Sequence, residues 1–289
     1  MNRIYYILLL FVSLLARISH GEANQQSANT VKFNPSSPPP EFMLRGDDNR
    51  PRSDVIAPFI SFFLPGIDQW WEGQYGYAAS YTGGALLSET FANHHRKKID
   101  DTYHSNQEAI DTGFHSRRFE VGLQTSTCLR GLSSYHAFRT AAESRKKIGE
   151  YEFLKHNESM SDIASAPFNF KFLLRKTTFI PLAIVSWISA SYILSSPQDL
   201  EKSGLIKRNL TLDDGAYASA VSYNAGLWEE AVFRGWLFPV MYQNTNNSFI
   251  SNTSTSALFA LSHSRAAPVA QFLMGYYLAF VLSIPYCCP

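Results

Sequence analysis

The chain is poor in cysteine. Cys128, Cys287 and Cys288 are the only three among 289 residues, too few for a disulfide framework and without the spacing of a zinc site. It also lacks an excess of either charge, with 25 Lys and Arg against 24 Asp and Glu. No nucleic-acid partner is expected, because binding phosphates calls for a basic excess. Disorder of the whole chain is excluded by an apolar content of 45% and an aromatic content of 14%, enough to bury a core. No internal repeat is present. The mean hydropathy of −0.14 is that of an ordinary soluble protein, but the average hides a very uneven placement of charge.

Charge is nearly missing from the last quarter. Over residues 215–289 the formal charges are Glu229, Glu230, Arg234 and Arg265, beside the titratable His263. A second uncharged run, residues 177–198, centres on FIPLAIVSWISASYIL. About 20 helical residues cross a bilayer's hydrocarbon core, and we read this run as a transmembrane helix. Its flanks do not orient it. Lys171, Arg175 and Lys176 precede it, while Lys202, Lys207 and Arg208 follow, a tie under the positive-inside rule.

The N-terminus has a different pattern. Arg3 leads into the apolar stretch IYYILLLFVSLLA, followed by a polar exit; residues 1–20 read as a secretory signal peptide or an uncleaved anchor. Residues 21–53 carry SSPPP and DDNRPR and read as a polar linker. Residues 54–174 are expected to be a helical region. Two apolar stretches in it, 55–66 and 76–91, flank a turn rich in Gly, Trp and Gln. They read either as a membrane hairpin with Trp70 and Trp71 at the interface, where indoles prefer to sit, or as two packed helices of a soluble cap. Residues 93–118 are too polar to span a membrane and, with 142–176, read as charged loops. Residues 119–141, with Arg130 inside them, read as an amphipathic helix.

The chemistry is concentrated near the C-terminal end. Asp213 and Asp214 are placed to cap a helix that starts near Gly215 and runs through AYASAVSYNAGLWEEAVFRGWLFPVMY. Ionisable groups at membrane depth cost about 2.5–3.5 kcal/mol each on insertion scales, so they mark a functional site by default. Successive helical residues point about 100° apart, so Glu229 and Glu230 cannot serve one role. Glu230 and Arg234 stand at i and i+4 with the acid first, the favourable order for an ion pair within a helix. Glu229 has no such partner and is left to face a neighbouring helix. The next element, residues 255–265, places Ser256, Ala260 and Ser264 four apart, which permits close helix approach. His263 lies on the adjoining face. A carboxylate and an imidazole from two close helices can share a water, with the carboxylate as general base.

Glu229-Glu230-Ala-Val-Phe-Arg234-Gly235 resembles the E-E-x-x-x-R motif of the CPBP family, which includes the type II CAAX prenyl endopeptidases and the bacteriocin-processing or immunity proteins. Phe259-Ala-Leu-Ser-His263 resembles its second motif, F-x-x-x-H, and residues 272–280 resemble the helix that follows. The resemblance covers roughly residues 175–285 and leaves the first 170 unexplained. It implies an all-α, polytopic membrane helical bundle and an intramembrane endopeptidase, with residues 175–289 as the protease domain. It implies that Glu229 activates water, that Glu230 and Arg234 form a supporting pair, and that His263 positions or polarises the water. The implied partners are membrane lipid and a protein or peptide substrate near the membrane; no cofactor is implied. The signal-like start and the linker point to the bacterial cytoplasmic membrane.

The sequence departs from the family pattern after His263. No further histidine follows to supply the third motif, whose role in the family is to stabilise the oxyanion, and the chain ends at PYCCP as if cut short or shifted in frame. Two other readings compete. One is a zinc protease on the same residues, disfavoured because a catalytic zinc takes three protein ligands and Arg234 would oppose a cation. Asn93, His94, His95 and His104 offer another conceivable metal site, read more simply as a solvated surface. The other is a non-catalytic or inactivated relative acting as a scaffold or immunity-type protein.

Overall fold

The computed structural model describes residues 52–104, 109–154, 160–165 and 212–263, together with Phe168, Ala183 and Trp187. Among these residues every regular element is a helix. The expected signal segment, the linker before Arg52, the helix at 272–280 and Ser264 and Arg265 lie outside the described residues. So does the 177–198 helix apart from Ala183 and Trp187. Among the described residues no helix is long and apolar enough to cross a membrane.

The first three helices are α1 (Ile56–Phe63), α2 (Ile67–Trp71) and α3 (Tyr75–His104). They depart from a hairpin of two membrane spans. α1 has only 8 residues, about 12 Å at 1.5 Å per residue, far short of a bilayer core. Pro58 falls in its first turn, where a missing N–H is tolerated. Pro65 and Gly66 then turn the chain. Gly66 has φ of 90°, and a Cβ there would come within 2.5 Å of the Ala78 carbonyl oxygen, so only glycine fits. α3 continues through the charged run that begins at Asn93, as does α4 (Ala109–Lys146) at both of its ends. Residues 93–104 and 109–118 are therefore helical rather than loops. Charged side chains are compatible with a helix whenever one face is left to water.

α3 and α4 pack along each other through small residues. Ala78, Ala85 and Ala92, one heptad apart, are buried with Tyr81 on α3. Gly122 and Ser126 of α4 face them; a Cβ on Gly122 would meet the Ser88 carbonyl oxygen at 2.8 Å. Small side chains in heptad spacing let two backbones approach closely. Arg130 ties three helices together. It donates to the carbonyl oxygens of Phe62 and Phe63 at the end of α1 and pairs with Glu89 of α3 at 2.5 Å. The orphan carbonyls of a helix C-terminus attract a cation, which accounts for an arginine among the small and apolar residues in the middle of 119–141. A short helix, α5 (Met160–Ser165), follows.

The second part begins with α6 (Leu212–Glu229). Asp213 and Asp214 sit inside its first turn rather than capping it, and pair with Arg117 and Arg118 of α4 at 3.3–3.4 Å. Acids are also favourable in the first turn, near the positive end of the helix dipole. The rod then changes form. Residues Glu230–Leu237 are π-helical, followed by α7 (Phe238–Thr245). α8 (Ser248–Ser262) returns alongside.

One core unites the early and late segments. Val55, Phe138, Tyr151, Trp236, Val240 and Phe259 are buried together. The Trp236 indole donates to the Asp54 carbonyl oxygen at 3.0 Å, and the Tyr151 hydroxyl donates to the Asp54 carboxylate. Burial and that carboxylate push the Tyr151 phenol far above its usual range. Each of these aromatic side chains has an apolar body in the core and a polar tip that finds a partner.

Candidate functional site

The site is built on the hairpin of the π segment, α7 and α8. Asn246 takes φ of 47° after α7, a left-handed conformation that asparagine tolerates better than most residues. Asn247 then caps α8, its side chain accepting from the N–H groups of Phe249 and Ile250 at 3.0 and 3.2 Å. Such a cap is worth about 1 kcal/mol. Asn246 lies at the midpoint between residues 229 and 263, so an antiparallel return brings His263 back to the level of Glu229. The two meet: His263 Nε2 lies 3.1 Å from Glu229 Oε1.

Glu230 takes the other path. It hydrogen-bonds Arg234 within the same rod. The adjacent glutamates are thus separated into one bound along its own helix and one bound across to α8. Both pairs are partly shielded: the side chains of Glu229 and His263 are 21% and 26% exposed. In a setting of lowered dielectric, such charge-assisted bonds are stronger than in water.

Two supports hold the glutamates in place. The first is the π-helical turn itself, which begins at Glu230 and in which the Phe238 N–H reaches back five residues to the Phe233 carbonyl. Such wider turns often sit at functional sites. The second is α4, which presses on the rod from behind. A Cβ on Gly235 would stand 2.4 Å from the Tyr135 ring, and one on Gly131 would stand 3.0 Å from Trp228. Glycine at 235 is therefore required by a close approach rather than by helix formation. On the other side, Phe233 packs edge-on against Phe259, with centroids 5.3 Å apart, and Phe259 lies 4.5 Å from the His263 ring. Ser256 and Ala260 are both buried on α8.

Sequence reasoning singled out Glu229, Glu230, Arg234 and His263, and the structure brings all four into two neighbouring pairs. It did not single out Phe259 as the aromatic floor under His263, Tyr135 and Gly131 as the packing behind the glutamates, or Ser262, which contacts His263 Nδ1 at 3.0 Å. The glycine in Glu-Glu-x-x-x-Arg-Gly was the available signal for the close approach. The histidines near residue 95 have another arrangement: His95 Nδ1 meets His115 Nδ1 at 2.8 Å. Burial, with His115, His94 and Arg118 nearby, holds His95 below the usual histidine range. The His104 side chain lies outside the described residues. Among the described residues no three metal-type ligands from His, Cys, Asp and Glu converge.

The family model for type II CAAX prenyl endopeptidase Rce1-like proteins matches residues 216–285. That segment contains both motifs, and the match supports membership of the CPBP family. No curated protein and no solved structure matches the chain.

Proposed function

We propose that this protein is an intramembrane endopeptidase that hydrolyses a peptide bond of a membrane-associated protein or peptide with water activated by Glu229. The observation that carries the reading is the 3.1 Å contact between Glu229 and His263 across two helices, while Glu230 is bound to Arg234. The matched family is a protease family, which supports a peptidase, and membrane association comes with it.

In this reading Glu229 accepts a proton from water as the water oxygen bonds to the scissile carbonyl carbon. The carbonyl electron pair moves onto its oxygen. When the pair returns, the C–N bond breaks and Glu229 passes its proton to the departing amine. His263, bonded to Glu229 Oε1, positions the water through that carboxylate. Arg234 keeps Glu230 paired, so that the second carboxylate does not compete for that proton.

The test uses the full chain in lipid nanodiscs. A farnesylated peptide ending in a CAAX sequence is the first probe, because that is the chemistry in the family's description. Glu229→Gln and His263→Ala are each expected to lower cleavage by about 10²-fold or more, the usual worth of a general base or its partner. Cleavage unchanged in both variants would overturn the proposal.

A further inference from the structure

Ser262, the last residue of α8, has no place in the reading above. Its hydroxyl donates to the Phe259 carbonyl oxygen at 2.7 Å and stands 3.0 Å from His263 Nδ1. His263 Nδ1 in turn lies 2.9 Å from the same carbonyl. Hydroxyl, carbonyl and imidazole nitrogen form a closed triangle at the end of the helix. We infer that Ser262 is a positioning residue: with the Phe259 carbonyl it holds a proton on His263 Nδ1 and turns Nε2 toward Glu229.

The argument is one of donors and acceptors. A carbonyl oxygen only accepts, so an imidazole nitrogen 2.9 Å from it must carry hydrogen. The Ser262 hydroxyl spends its single hydrogen on that carbonyl, so its lone pair shares the one Nδ1–H with the carbonyl in a bifurcated bond. With Nδ1 protonated, a neutral His263 presents a bare lone pair at Nε2. Facing it at 3.1 Å is Glu229 Oε1, which as a carboxylate also only accepts. Two lone pairs repel, so one proton lies between the two residues, as imidazolium with carboxylate or as imidazole with carboxylic acid. Oε1 is committed to that bond, and Oε2 is the oxygen that turns to water. The partner bonded to one ring nitrogen sets the chemistry of the other.

The inference rests on the proposed roles of Glu229 and His263, and its test separates the two claims. The full chain is labelled with [15N]histidine in nanodiscs, and His263 is assigned by its loss in His263→Ala. Nitrogen shifts are compared for wild type, Ser262→Ala and Ser262→Thr, beside cleavage of the farnesylated peptide. Wild type should show Nδ1 protonated across neutral pH. Ser262→Ala should raise the fraction with bare Nδ1 about tenfold, the equivalent of one lost hydrogen bond. It should lower kcat about tenfold with KM little changed. Ser262→Thr, which keeps the hydroxyl, should restore both. A bare Nδ1 in wild type, or shifts unaltered in Ser262→Ala, overturns the inference. If the shifts follow the hydroxyl while Glu229→Gln cleaves normally, Ser262 keeps its positioning role and the hydrolytic reading fails instead.

Discussion

Gly235→Ala sets two effects of opposite sign against each other. Helix propensity alone favours alanine over glycine by about 1 kcal/mol, through the backbone freedom that glycine loses on folding. The packing opposes it. The added Cβ would stand 2.4 Å and 2.6 Å from two ring carbons of Tyr135, where ordinary contact between carbons is about 3.5–4.0 Å. The ring has little room to retreat, since Tyr135 is 1% exposed and its neighbours Ala137 and Phe138 are fully buried. Overpacking of this kind costs about 1–3 kcal/mol, and an overlap of this depth belongs at the upper end. The net expectation is a loss of about 1–2 kcal/mol, or a fall in Tm of about 2–8 °C for a chain of this size. Thermal unfolding in detergent reads the effect. The control is a double-mutant cycle with Tyr135→Leu, in which most of the loss from Gly235→Ala should disappear as a coupling of about 1–3 kcal/mol. Because Glu230 and Arg234 lie on the displaced rod, cleavage should fall as well. A rise in Tm for Gly235→Ala in the wild-type background would refute the reasoning, showing that α4 does not press on the motif at this point.

Tyr151 should make stability fall in alkali. Its folded pKa is raised, so the stabilising contribution is complete below the ordinary tyrosine value of about 10 and is lost as pH rises above that value toward the folded one. The slope should be about 1.4 kcal/mol per pH unit. Tyr151→Phe should lose about 1.5–3 kcal/mol at neutral pH through the lost bond to the Asp54 carboxylate, which keeps Arg145 at 3.5 Å, yet decline less steeply above pH of about 10. Equal slopes in chemical unfolding would contradict the assignment. Cys128 should be inert in the native protein. It is 4% exposed and burial pushes its thiol up to about 12, whereas the thiolate is the reactive form. In a Cys287→Ser, Cys288→Ser background, maleimide should label the chain only after denaturation; fast native labelling would show that α3 and α4 open readily.

Much of the site was legible because its decisive relations are local. Glu230 and Arg234 are one helical turn apart, so the sequence alone pairs them. The return of His263 was not legible: the asparagines at 246 and 247 stand halfway between the motifs, but their turn and cap are seen only in the fold. Nor was the form of the rod. A wider turn at Glu230–Leu237 has no composition signal, and neither has the close approach of α4 at Gly235. The elements around the site were harder still. The charged runs after Asn93 and before Arg117 suggested loops, but half of a helix surface can stay in water while the other half packs. The seam of Ala78, Ala85 and Ala92 carries little hydrophobic signal, because its value lies in what small side chains allow a neighbour to do.

The all-α expectation came with the family resemblance, and among the described residues every regular element is a helix. The sequence by itself determined the identity of the four ionisable groups and the pairing of Glu230 with Arg234. These follow from intrinsic spacing and from the cost of leaving charge unpaired. Only the tertiary structure decided that Glu229 meets His263, that Tyr135 occupies the space beside Gly235, and that Ser262 and the Phe259 carbonyl orient the imidazole. These relations join residues through close packing of separate helices. That packing depends on shape and available volume at the contact, which no single segment encodes on its own.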